Sequence, residues 1–266
     1  MSEPRSLRWH DLRKRLLSAL VMLAVGAAEV WLGGLSFLAL ITVLISVMIW
    51  ELARMSDRAD PLRAFGLAAL AGLCLVLDEG WPSVSAWLLF PVVPLAFLAL
   101  PRLHPRAMAG FALAIMVAGH GLFVLRDEVG TPAILWLLAV VIASDVLGYF
   151  VGRLVGGPKF WPAISPKKTW SGTLAGLGGA ALIGAGFWSG GYGSALLIPV
   201  SVLVALAGQM GDIAESWVKR RAGVKDSSSL IPGHGGVLDR FDALIGAVVA
   251  VMVVQLIVPV APVFGG

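Results

Sequence analysis

The stretch KDSSSLIPGHGGVLDRFD, Lys225–Asp242, carries three aspartates, a lysine, an arginine, a histidine, three serines and three glycines between two long apolar segments. Just upstream, GDIAES adds Asp212 and Glu215, and IASDVLGYFVGR sets Asp145 inside an apolar run. In a helix Asp212, Glu215, Ser216 and Lys219 fall at i, i+3, i+4 and i+7, on one face; Asp239 and Asp242 are spaced i, i+3. Three helices thus aim carboxylates at one membrane level. Charge inside a membrane segment is costly and usually functional. Solvated helix ends with local ion pairs account for any one of these residues but strain to cover them all.

Clustered carboxylates at low dielectric repel one another, and a divalent cation relieves that. Oxygen ligands from Asp suit Mg²⁺, which commonly binds one or two carboxylates plus substrate phosphates. Histidine is scarce and the lone Cys74 is remote, which argues against zinc. The neighbouring loops bring the opposite charge. AISPKKTWSGT offers Lys167 and Lys168 beside Ser165 and Thr169; KRRAGVKD offers Lys219, Arg220, Arg221 and Lys225. Gly233, Gly235 and Gly236 let backbone N–H groups approach an anion closely. Carboxylates for a metal with cations and glycines for phosphates point to phosphoryl or nucleotidyl transfer. Arg221 reads better as plain topological charge.

These residues must be held by elements that live in lipid. The 266-residue chain is 58% hydrophobic and only 14% charged, against roughly 25% charged in soluble domains. Its mean hydropathy is +0.89. The fold class is therefore all-α: a polytopic integral membrane protein. About nine transmembrane helices are expected, near 16–33, 35–54, 64–78, 84–100, 107–125, 132–154, 172–190, 194–218 and 238–263. The basic start and long first apolar run read as a retained helix, not a cleaved signal. With the N-terminus cytoplasmic and the C-terminus on the outer face, all of the 20 Lys and Arg except Arg126 fall on the cytoplasmic side. The exterior loops are then short, and the two longest loops, about 155–171 and 219–237, lie inside.

One membrane domain, 1–266, is the simplest organisation. About 1–130 form an N-terminal helical scaffold, and about 131–266 supply catalytic helices and cytoplasmic loops. In the scaffold, Glu51 reads as a partner of Arg54 or of the cytoplasmic cluster, Pro91 and Pro94 as kinks, and His120 as a packed histidine rather than a ligand. Trp50 and Trp87 read as interfacial anchors.

The order of the polar residues is more specific than their composition. Ser216-Trp-Val-Lys219-Arg220, Lys225-Asp226, Pro232-Gly233-His234-Gly235-Gly236 and Asp239-Arg240-Phe-Asp242 follow at fixed spacing. This resembles the signature of the phosphatidate cytidylyltransferase (CDP-diacylglycerol synthase) family. GDIAES, SDVLGYFVGR and ISPKKTW resemble the same family, so the detailed likeness covers about 144–244. One departure is Ser171, where family members usually carry glutamate.

The resemblance implies a nucleotidyltransferase of phospholipid biosynthesis: CTP plus phosphatidic acid gives CDP-diacylglycerol plus pyrophosphate. It implies Mg²⁺ held by Asp212 and Asp239, with a second cation for which K⁺ is the candidate. The roles expected on that basis are as follows. Asp226 and Asp242 assist the metal. Lys167, Lys168, Lys219, Arg220, Lys225 and Arg240 hold the triphosphate, the leaving pyrophosphate and the lipid phosphate. His234 with Gly235 and Gly236 shapes the nucleotide loop, and Asp145 completes the polar cavity. Ser165, Thr169, Glu215 and Ser216 join the substrate site. The setting is a bacterial cytoplasmic (inner) membrane with the site facing the cytoplasm. Membrane lipids are partners, a homodimer is a candidate assembly, and nucleic acid is not a partner. Two rivals remain open: a CTP-dependent kinase of a membrane isoprenoid alcohol, and an anion transporter. A catalytically dead lipid-binding paralogue is argued against by the intact signature.

Overall fold

The computed structural model describes residues 5–57, 59–81, 86–100 and 103–257, with backbone only for 5–15, 86 and 87. The expected end of the ninth span (258–263), the start of the fourth, Arg58, Arg102 and the side chain of Trp87 lie outside what is described. So do the side chains of Arg5, Arg8, Arg13, Lys14 and Arg15.

Helix α1 spans Arg5–Leu32, α2 Gly34–Ser56 and α3 Pro61–Gly80. Asp60 caps α3 by accepting from Arg63 N at 2.9 Å, and Pro61 opens the helix where a missing N–H costs nothing. The apolar run at 84–100 is not one helix. It is a single turn, α4 Ala86–Leu89, and then α5 Val92–Ala99, broken at Pro91, whose ring cannot continue the ladder. Helix α6 covers Pro105–Phe123 and widens into a π-helical turn, Val124–Val129. Then come α7 Thr131–Leu154, α8 Trp170–Ser189, α9 Leu197–Arg221 and α10 Leu238–Ile257.

Among the described residues six helices are long and apolar enough to cross a membrane: α2, α3, α6 with its π turn, α7, α9 and α10. The apolar part of α1 is 17 residues, Leu16–Leu32. Helix α8 is 20 residues long and rich in glycine. Its glycines serve packing. A Cβ on Gly176 would meet Ser144 O at 2.8 Å, and one on Gly172 would overlap the Gly148 carbonyl, so α8 lies backbone to backbone on α7.

The segment expected as loop 155–171 contains the exception to the all-α reading. Strands β1 (Lys159–Trp161) and β2 (Ser165–Thr169) form an antiparallel hairpin. The sequence SPKKT shows no apolar alternation that would announce a strand. Its last residue, Thr169, caps α8 by accepting from Gly172 N at 3.2 Å, so the hairpin feeds directly into a helix.

The buried core joins both halves of the chain. Ile45, Ile49 and Leu52 of α2 meet Met108, Ile115 and Met116 of α6, and Trp136 of α7 donates from Nε1 to Ser201 Oγ of α9 at 2.8 Å. Leu103 N donates to Ser56 O, tying the end of α2 to the start of α6. At the far end Arg126 donates to Val30 O and, at 3.0 Å, to Trp31 O, closing the last turn of α1. Asp127 Oδ1 accepts from Gly34 N at 2.9 Å and caps α2. The one cation assigned to the outer face is therefore a helix clamp.

Candidate active site

At the end of the bundle where α2 finishes, a cavity of about 700 Å³ opens among α7, the hairpin, α8, α9 and the start of α10. Four aspartates line it: Asp145, Asp212, Asp239 and Asp242. So do five cations: Arg153, Lys159, Lys167, Lys168 and Arg240. Ser165 and Thr169 complete the predicted residues on its wall. A charged cavity with a basic majority, sunk among apolar helices, admits a polyanion together with a hard cation.

Lys168 of β2 bridges two elements across it. Its Nζ donates to Asp212 Oδ2 at 3.0 Å and to the Gln209 carbonyl at 3.1 Å, pinning the hairpin to α9. The Asp212 side chain remains 38% exposed to the cavity. Asp239 is held in the opposite manner. Lys219 Nζ donates to Oδ1 at 2.6 Å, Ser227 N to Oδ2 at 3.0 Å, Ser227 Oγ to Oδ2 at 3.0 Å and Gly236 N to Oδ2 at 2.7 Å. Its side chain is only 4% exposed. Lys219 also sits 2.6 Å from Oε2 of the fully buried Glu215, so one ammonium serves two carboxylates behind the cavity wall.

The loop 222–237 explains its own glycines. Gly235 has φ +87, a left-handed conformation that a side chain resists. Gly236 has ordinary φ but no room: a Cβ there would collide with Ser227 Oγ and the Glu51 carboxylate. Both glycines bring backbone close to carboxylate, and Gly236 N donates to Asp239.

Several predicted residues lie off the cavity. His234 Nδ1 is 2.8 Å from Ser18 Oγ, which also donates to Pro232 O at 3.3 Å, so this histidine fastens the loop to α1. Arg220 Nη1 reaches Val224 O at 3.4 Å and closes the end of α9. The Arg221 guanidinium lies 4.1 Å from the centroid of the Trp217 ring. Lys225 and Asp226 are exposed on the loop, and Ser216 is half-buried on α9. None of Lys219, Glu215, Ser216, Gly235 or Gly236 lines the cavity; Lys219 and Gly236 act on it through Asp239. Ser171 hydrogen-bonds Thr169 Oγ1 at 3.1 Å and the Gly156 carbonyl, at the base of the hairpin.

Sequence reasoning missed Arg153, Lys159, Tyr149, Gln209 and Thr173 as cavity residues. Arg153 Nη1 donates to the Tyr149 hydroxyl at 2.9 Å, one turn back on α7. Gln209 donates from Nε2 to Ser144 Oγ at 3.1 Å, while its Oε1 and Thr173 Oγ1 are buried without a hydrogen-bond partner. A glutamine within the apolar run of α9, three residues before Asp212, was the available signal. It also missed Glu51, whose fully buried carboxylate accepts from Ser228 Oγ (2.5 Å), Leu238 N (2.7 Å), Val237 N (2.9 Å) and Ser227 Oγ (3.2 Å).

The donor set fits a hard divalent cation. Among the described residues the carboxylates on the cavity wall are all aspartates, and no histidine or cysteine lines it. Asp212 offers an exposed carboxylate, flanked on the cavity wall by Asp145 and Asp242. Asp239 brings oxygens already oriented by four protein donors.

The model of the cytidylyltransferase family matches residues 13–258 of this chain. The phosphatidate cytidylyltransferase of Brucella abortus is 36% identical over 256 residues, covering 89% of this chain and 90% of the relative. That of Helicobacter pylori is 37% identical over 201 residues, covering 70% and 73%. That of Staphylococcus aureus is 29% identical over 246 residues, covering 87% and 94%.

Proposed function

The chain belongs to the cytidylyltransferase family and is a membrane nucleotidyltransferase, and we propose that it transfers CMP from CTP to phosphatidic acid, releasing pyrophosphate and forming CDP-diacylglycerol. The observation that carries this reading is the cavity itself. Four aspartates and five cations surround about 700 Å³ at the end of a lipid-embedded bundle, where a water-soluble nucleotide and a lipid headgroup can meet.

Phosphatidic acid brings its own nucleophile. A phosphate monoester with a second pKa of about 6 is largely dianionic near neutral pH. One of its oxygens attacks the α-phosphorus of CTP. The P–O bond to the bridging oxygen breaks, and that electron pair leaves with pyrophosphate. No strong base is required, only alignment and charge neutralisation. Lys167, Lys159 and Arg240 line the cavity where a triphosphate would lie. Arg153, exposed on the cavity wall and hydrogen-bonded to Tyr149, is the proposed holder of the lipid phosphate, whose acyl chains stay in the membrane. Lys168 holds Asp212 in orientation. Asp212 and Asp239 are the proposed holders of Mg²⁺, with Asp242 and Asp145 beside them. Bound there, the ion would neutralise CTP phosphate charge. K⁺ is the proposed second cation.

The Lys and Arg distribution supports nine crossings with a cytoplasmic N-terminus, the fourth broken at Pro91, and a cavity facing the cytoplasm of a bacterial inner membrane. Lys159→Cys tests the orientation: an impermeant maleimide should label it in inverted vesicles and not in right-side-out ones. The activity is tested by pyrophosphate release from detergent-purified protein. Release should require CTP, phosphatidic acid and Mg²⁺ together. Release without the lipid, or none with all three, would overturn the proposal.

A further inference from the structure

Glu51 belongs to the half of the chain that the sequence reads as scaffold, yet its carboxylate is fully buried against the active-site loop. Four donors to it among the described residues lie 176–187 residues away in sequence: Ser227 Oγ, Ser228 Oγ, Val237 N and Leu238 N. Two of them are backbone N–H groups at the start of α10, which have no intrahelical acceptor. Glu51 therefore caps, from α2, the helix whose first turn carries Asp239, and its charge complements the positive end of the helix dipole.

The link to Asp239 is closer than a shared helix. Ser227 Oγ lies 3.2 Å from Glu51 Oε2 and 3.0 Å from Asp239 Oδ2. A hydroxyl has one proton, so this single donor stands between two carboxylates. Gly236, whose N–H donates to Asp239 Oδ2, is pressed against the Glu51 carboxylate so tightly that no Cβ fits. Ser228 differs: it reaches Glu51 Oε1 at 2.5 Å but makes no hydrogen bond with Asp239 among those observed.

We propose that Glu51 is a positioning residue for the nucleotidyl-transfer site. Through Ser227 and the Gly236–Leu238 backbone it sets the orientation of Asp239, so the N-terminal helices take part in building the site. The inference rests on the reading of the cavity given above. An anchoring role alone predicts something different. If Glu51 merely ties down the loop, the shorter Ser228 bond matters at least as much as the longer Ser227 bond. If it positions Asp239, Ser227 matters more, because of the two serines Ser227 is the one observed to hydrogen-bond both carboxylates.

The test compares E51Q, S227A and S228A with the wild type. Glu51→Gln keeps the volume but turns an amide NH₂ toward N–H and O–H donors. Two measurements are made on each protein: pyrophosphate release, with kcat, KM for CTP and half-saturating Mg²⁺; and hydrogen exchange at the Ser227 and Gly236 amides, which needs no turnover. E51Q and S227A should lower kcat about 10-fold or more, the range for removing a residue that orients a metal ligand. They should raise half-saturating Mg²⁺ and speed exchange at both amides. S228A should keep most of its turnover and its protection. An S227A defect no larger than that of S228A in both measurements, or an E51Q protein with wild-type turnover and exchange, would overturn the proposal. Should E51Q fail to fold, the ranking of the two serine variants decides, since each leaves Glu51 its two backbone bonds. An inactive wild type would sink the proposed function, and the exchange ranking alone would then decide the positioning role.

Discussion

The two ends of the bundle solve the same problem differently. At one end four aspartates and five cations surround open space. Toward the other, Asp78 and Glu79 of α3 converge on His120 of α6, whose Nδ1 lies 2.8 Å from Asp78 Oδ2 and 3.0 Å from Glu79 Oε1. The Asp78 and Glu79 side chains are 5% and 8% exposed, and the Phe90 ring packs edge-on against the imidazole at 5.2 Å. The second cluster closes its carboxylates on one shared imidazole, itself 27% exposed; the first leaves Asp212 exposed and basic side chains facing a cavity. Charge buried among apolar helices must find partners. Where the chain supplies them, the cluster holds helices together. Where it leaves groups facing open space, a ligand can complete the set.

The largest effect should come from breaking the open end. Asp212→Asn keeps the side-chain volume and a contact for Lys168 but removes the exposed anion. It should cut turnover about 100-fold or more, about 2.7 kcal/mol or more of lost charge stabilisation, with unfolding little changed. Thermal unfolding measured beside pyrophosphate release separates chemistry from folding. Gly236→Ala should come next. With Ser227 Oγ and Glu51 where its methyl must go, overpacking should cost about 1–3 kcal/mol of stability and lower kcat as Asp239 is displaced. The closed end should behave in the opposite sense. His120→Ala removes the shared partner of two buried carboxylates, so it should destabilise by about 3 kcal/mol while the kcat of the folded protein stays near wild type. A His120→Ala protein with normal stability but lost turnover would erase the distinction between the ends. The smallest effect is expected at Ser171. It lies at the hairpin base and not on the cavity, so Ser171→Ala should change turnover little.

Much of the open end was legible in the sequence because it breaks a rule locally. Asp145, Asp212 and Asp239 are carboxylates in apolar helices, Lys167 and Lys168 neighbour them in a short motif, and all five line one cavity. Facing was less legible than membership. The fixed spacing through His234 and Arg220 marked a motif, but spacing does not say which members turn inward. His234 instead meets Ser18, 216 residues away. Glu51 reads from sequence as a partner of Arg54 or of the cytoplasmic cluster, but spacing could not name Ser227, Ser228, Val237 and Leu238, which come from the other end of the chain. The helical pattern of the first half was visible from hydropathy, and Pro91 marked its break. The β1–β2 hairpin was not, because its strands are only three and five residues long and SPKKT has no apolar alternation; Lys168 on Asp212 and the Phe160 ring edge-on to Trp170 at 4.7 Å hold it.

The central claim is that the open end transfers the α-phosphate of CTP to a lipid phosphate. The most direct measurement supplies CTP labelled at the α-phosphate or at the γ-phosphate with phosphatidic acid and Mg²⁺, and then counts label in the organic phase. The account expects α-label in the lipid and γ-label in aqueous pyrophosphate. Label entering lipid only from the γ-phosphate, when an isoprenoid alcohol replaces phosphatidic acid, would contradict it and mark the protein as a lipid kinase.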